Sequence, residues 1–145
     1  MKSGEVARLI QERYPGTDVR VPRERRVMVY IPSGLLIEML AFLKDQGVTH
    51  ISTITAVDRI KENIFELLYH LSWENNEISV RIEIPRETPV VPTVTAVLPG
   101  ALTYEREIQD MFGIRVDHIP NPEKLLLPDN WPLGEYPLRK DYVVK

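Results

Sequence analysis

The sequence predicts an α+β fold: a two-layer domain with helices packed on one face of a mixed, mostly antiparallel sheet, followed by an extended irregular C-terminal tail. Three observations predict it. Periodic segments run helix, strand, helix and then several strands, an order that suits a layered domain rather than repeated crossovers. Ile78, Val80, Ile82 and Ile84 alternate with Ser79, Arg81 and Glu83, so one face of that sheet is wet. Most of the 12 prolines lie at or beyond Pro85, and after His118 neither a helical nor a strand period is sustained.

In order, Val6, Leu9, Ile10 and Tyr14 recur at helical spacing, with Ser3 as N-cap and Pro15-Gly16 as the stop. Val27, Val29 and Ile31 form a strand. Ser33 is placed to cap a second helix with a stripe of Leu36, Met39, Leu40 and Leu43, and Gly47 suits the left-handed position after it. Residues 49–58 are rich in β-branched side chains. Residues 65–71 and 78–84 alternate, with a turn at 73–76. Residues 101–112 form a short charged helix that Gly113 ends. The tail keeps Leu125, Leu126, Leu127, Trp131, Leu133 and Tyr136, more apolar groups than disordered segments carry, so it is expected to lie on its own domain or on a neighbour. The division is 1–117 for the domain and 118–145 for the docking tail.

Composition bounds the function. A chain of 145 residues is about one domain. Its net charge of -3 gives no electrostatic footprint for nucleic acid. With Cys 0, disulfides, thiol catalysis and thiolate-held clusters are excluded within the chain. Met1 leads into a charged segment with no apolar core, so no signal peptide is expected. No apolar run reaches the roughly 18 residues of a membrane span.

The candidate chemistry is sparse. Arg106 and Asp110 share a helix face and can pair. Glu105 and Glu107 point to opposite sides, which argues against two carboxylates acting on one substrate. Ile108, Met111 and Phe112 read as an apolar base. Asp117-His118 is the one adjacent acid–imidazole pair, too few ligands for a metal. An independent acid–base enzyme would have to unite Asp117, His118 and Glu107; a free-standing binding module is a further alternative. In the tail's PLRKDY, an extended chain puts Leu138, Lys140 and Tyr142 on one side and Arg139 and Asp141 on the other. Arg139 could then hold a carboxylate of a partner.

Read together, YEREIQDMFGI (104–114), Asp117-His118 and LLPDNWPLGEYPLRKDY (126–142) resemble the 30 kDa subunit, or C subunit, of NADH:quinone oxidoreductase (complex I). Weaker likeness extends through ITAVDR (54–59), YHLS (69–72) and PVVPTVT (89–95). Thr103 stands where the family usually has Trp, Ile119 interrupts a His-Pro step, Glu123-Lys124-Leu125 replaces an arginine-rich segment, and Val143 replaces a proline. WPLGEYPLRKDY is also similar to the counterpart in energy-converting membrane-bound [NiFe] hydrogenases and sulfur-reducing relatives. The resemblance implies a non-catalytic subunit of the hydrophilic arm of an ion-translocating oxidoreductase. Its implied host is a hydrogenase or sulfur-reductase type complex, with a respiratory NADH, ferredoxin or F420H2:quinone oxidoreductase as the alternative.

It implies no cofactor, metal or catalytic residue in this chain. Iron–sulfur clusters, and in a hydrogenase-type host a nickel–iron centre, are expected on partners: a large quinone-site or [NiFe]-type subunit and a small iron–sulfur subunit. The expected location is the cytoplasmic face of the membrane, reached only through the complex. The residues expected to dock are Glu105, Arg106, Glu107, Asp110, Met111, Phe112, Trp131, Arg139, Lys140, Asp141 and Tyr142.

Overall fold

The computed structural model describes residues 2–120 and 136–142. Trp131, one of the expected docking residues, lies outside them, as does most of the tail. Helix α1 (Ser3–Arg13) leads into strands β1 (Asp18–Arg23) and β2 (Arg26–Tyr30); a 3-10 turn at Ser33–Leu35 opens α2 (Leu36–Asp45). Three ten-residue strands follow, β3 (His50–Arg59), β4 (Ile64–Trp73) and β5 (Asn76–Pro85). Then come β6 (Val90–Pro92), a second 3-10 turn, α3 (Leu102–Phe112) and β7 (Arg115–Asp117).

The main sheet has the order β1-β2-β5-β4-β3, with β2–β5 parallel and the other pairs antiparallel. The mixed sheet is as expected. One face joins Val27, Val29, Phe65, Leu67, Tyr69, Leu71, Ile78, Val80 and Ile82 to Val6 and Ile10 of α1, Leu36, Met39, Leu40 and Leu43 of α2, and Ile108 of α3 in a single core. The stripes read from sequence are the buried ones.

Register places the other face by the period of two. Tyr30 pairs with Arg81, Leu68 with Arg81, Glu66 with Glu83, and Arg20 with Met28. This face carries ion pairs and polar contacts instead of helices. The β4–β5 turn is tight: Glu74 and Asn75 both have positive φ, 43° and 65°, between paired Trp73 and Asn76.

Some local expectations are corrected. Ser3 is inside α1 and caps nothing; its hydroxyl accepts from the Arg25 amide (3.3 Å), tying the helix to the β1–β2 turn. Ser33 opens the 3-10 turn without a side-chain cap. Strand β1 has no counterpart in the sequence reading, because an edge strand exposed at five of six positions, with Pro22 in it, leaves no alternation to read. The parallel pair β6–β7 is equally hidden, each strand being three residues long. Gly47 (φ 95°) and Gly113 (φ 71°) are left-handed as expected.

Candidate docking site

The site is where PLRKDY returns to the domain. Strand β3 ends in Asp58-Arg59, and register puts Asp58 beside Phe65 on the core side of the sheet. Its carboxylate is buried and receives three bonds. Arg86, just beyond β5, donates through Nε (2.8 Å) and Nη2 (3.2 Å), a bidentate fork. The third donor is the Lys140 backbone amide at 2.8 Å. Arg86 Nη2 also lies 3.0 Å from Asp141, so one guanidinium bridges domain and tail.

Burial alone would push the Asp58 carboxyl up; the bonds from Arg86 and Lys140 and the charges of Arg86 and Arg139 outweigh it and hold the carboxyl below its ordinary value. The same pair raises Arg86.

Arg139 completes the latch. Its Nε donates to the Phe112 carbonyl (2.6 Å), and the Leu138 amide donates to the Met111 carbonyl (3.0 Å). These are the last two residues of α3, whose carbonyls have no partner within the helix. The guanidinium also meets the negative end of the helix dipole, and lies 5.2 Å from the Phe65 ring centre and 4.8 Å from that of Tyr136. Phe65 meets Phe112 edge-on at 6.0 Å. A Cβ at Gly113 would fall on the Tyr136 ring, so glycine is required there twice, for space and for its φ.

The segment is turned, so the alternation of an extended tail is not kept: Leu138, Lys140 and Asp141 are exposed, Arg139 is half-buried, and Asp141 reaches back to Arg86. Within its own chain Arg139 is engaged through Nε, which donates to a backbone carbonyl. Tyr142 is half-buried.

The α3 residues divide. Glu105 is fully buried, so it is removed from any surface. Its Oε1 accepts from the Thr93 hydroxyl (2.6 Å) and its Oε2 from the Val94 amide (2.8 Å), fixing the segment before the second 3-10 turn. Burial raises its carboxyl despite those two bonds. The Tyr69 hydroxyl, buried and without a hydrogen-bond partner among the described residues, is pushed up by its own burial and by the Glu105 charge. Asp110 and Phe112 are also buried; Arg106, Glu107 and Met111 are half-buried, and Arg106 and Asp110 are both engaged. Burial rather than charge pattern separates these: Glu105 lies three residues before Ile108 and seven before Phe112, on the same helix face, and Glu107 points away from it.

The Asp117-His118 pair comes apart: Asp117 lies 2.9 Å from Arg115, and His118 is exposed. No group of three potential metal ligands occurs among the described residues. Sequence reasoning missed both Asp58, which reads as the end of a strand, and Arg86, which no motif singles out.

Known proteins share this chain's pattern. The model of the family described as respiratory-chain NADH dehydrogenase, 30 Kd subunit, matches residues 29–145. The chain is 32% identical over 136 residues to the C subunit of NADH-quinone oxidoreductase of Moorella thermoacetica, covering 92% of this chain and 90% of the relative. It is 33% identical over 138 residues to formate hydrogenlyase subunit 5 of Escherichia coli, covering 91% of this chain and 24% of that protein. The chain thus spans about a fifth to a quarter of the length of some of the curated relatives it matches. Among solved structures, a chain of the membrane-bound sulfane sulfur reductase, an archaeal respiratory membrane complex, superposes with a TM-score of 0.88 at 33% identity, covering 97% of this chain and 85% of that one.

Proposed function

The chain belongs to the family of the 30 kDa subunit of respiratory-chain NADH dehydrogenase, and from that membership we propose that it is a non-catalytic subunit of a membrane-bound, ion-translocating oxidoreductase complex related to complex I. In this reading it scaffolds the large quinone-site or [NiFe]-type subunit and touches the small iron–sulfur subunit. Both neighbours carry the redox centres, including the iron–sulfur clusters. The host is of the hydrogenase or sulfur-reductase type. The observation that carries the reading is the near-complete overlap with a chain of the sulfane sulfur reductase complex. The relation to formate hydrogenlyase subunit 5 supports the same class. The two-way coverage with the Moorella thermoacetica relative favours a quinone-reducing host as the second reading.

No described helix is long and apolar enough to cross a membrane. In this reading the chain reaches the cytoplasmic face of the membrane through its neighbours. Its own contribution is shape: the latch closes PLRKDY onto α3, so the complex meets one preformed surface and spends little entropy on ordering the tail.

Deleting the chain from its host tests this. The large subunit should vanish from the membrane fraction together with reduction of the acceptor, and resupplying the chain should restore both. Assays with protons, sulfane sulfur and a quinone then separate the two hosts. A membrane complex that assembles and turns over without the chain would refute the reading.

A further inference from the structure

Two clefts meet at Arg59. One, of about 500 Å³, lies on the helix-free face of the sheet and is lined by Arg20, Tyr30, Arg81 and Glu66 among others. The second, of about 290 Å³, lies between the β3–β4 turn and the latched tail, and is lined by Arg59, Ile60, Lys61, Glu62 and Lys140. Together they form a band with five cationic side chains (Arg20, Arg59, Arg81, Lys61 and Lys140) against four carboxylates: Asp18, paired with Arg20, Glu62, Glu66, and Glu83, which lies 2.6 Å from Arg81; the chain as a whole has a net charge of -3. Two large apolar side chains stand open beside it: Ile60, in the wall of the second cleft, at 39% exposure, and Leu138, two residues before Lys140, at 53%.

The band is held in place. Glu66 Oε2 receives Arg81 (2.6 Å) and Arg59 (3.1 Å), and both Arg20 and Arg81 stack on Tyr30, at 4.9 and 5.3 Å. The backbone of Lys140 is positioned by the hydrogen bond its amide N–H donates to the Asp58 carboxylate.

Resting on the subunit reading above, we propose that this band seats an acidic segment of a neighbouring subunit, with carboxylates at Arg59, Lys61 and Lys140 and an apolar side chain against Ile60 and Leu138. Preset cations at an interface steer and orient such a partner. The interspersed carboxylates and the open apolar groups fit a protein segment better than a phosphate-bearing surface.

The test uses the complex purified through a tag on this chain, with lysine acetylation mapped in the assembled and isolated forms. Lys61 and Lys140 should be protected on assembly while Lys2 stays reactive. A Lys61→Glu/Lys140→Glu variant with unchanged melting should recover about tenfold less of the neighbouring subunit at low salt. Equal acetylation of both lysines in the two forms would overturn the proposal while leaving the subunit reading intact. A chain recovered without any subunit would overturn both. Binding of the isolated chain to phosphatidylglycerol vesicles, lost in the double variant, would assign the band to lipid instead and overturn the proposal as well.

Discussion

Asp58 is the residue on which the latch turns. Its side chain is 1% exposed, and that of its partner Arg86 is 14%. Removing one member of such a pair leaves the other buried and uncompensated. Asp58→Ala should therefore cost about 3 kcal/mol in urea unfolding and free the 136–142 amides to exchange. The pH dependence has a definite sign. The carboxyl sits below its ordinary value near 3.8 in the folded state, so the unfolded chain takes up the proton more readily. The stabilisation is complete above that ordinary value and drains as pH falls through the lower folded one. Melting of the wild type followed below pH 5 should show this loss, and Asp58→Asn should show a flatter profile. Equal slopes would mean that the carboxylate is not what holds the tail. None of this was legible at the residue scale. Asp58-Arg59 reads as the end of a strand, and its partners lie 28 and 82 positions away. Spacing rules reach only a few residues.

At the scale of elements, α3 does two jobs, one at each end. Near its start, Glu105 pins the 93–94 segment from inside. Glu105→Gln keeps an acceptor for the Val94 amide and lets the Thr93 hydroxyl turn round, so stability at neutral pH should change by under about 1 kcal/mol. Glu105→Ala strands that amide and opens a void, costing about 2–3 kcal/mol by thermal or chemical melting; equal effects of the two variants would contradict the assigned bonds. At the other end, Gly113→Ala puts a methyl on the Tyr136 ring and an L-residue at φ 71°. It should destabilise by at least about 1 kcal/mol and expose the tail to limited proteolysis; an unaltered cleavage pattern would argue against Tyr136 packing there. The helices and the long strands were readable because their buried faces repeat every 3.6 or two residues, as in Leu36, Met39, Leu40 and Leu43 or Ile78 to Ile84. The charged helix and its apolar base at Ile108 and Phe112 were legible; that Glu105 and Asp110 are buried with them was not. Glu105 shares a helix face with Ile108 and Phe112, but the Thr93 and Val94 groups that let its carboxylate be buried there are brought in by the fold.

For the whole molecule, the combination that matters is a closed tail, a helix-free sheet face and a cationic band at their junction. Each suits contact with another protein. The motif-level likeness in ERE, DMFGI and PLRKDY already pointed to a shared complex. The surface that meets the neighbour depends on where the tail lands, which only the fold supplies. The most direct measurement is native mass spectrometry of the assembly released in detergent from membranes through a tag on this chain. We expect one copy of the chain bound to a large subunit and an iron–sulfur subunit, with the 136–142 segment as slow to exchange as in the isolated protein. Recovery of the chain from membranes and cytosol alike only as a free monomer would contradict a scaffolding role.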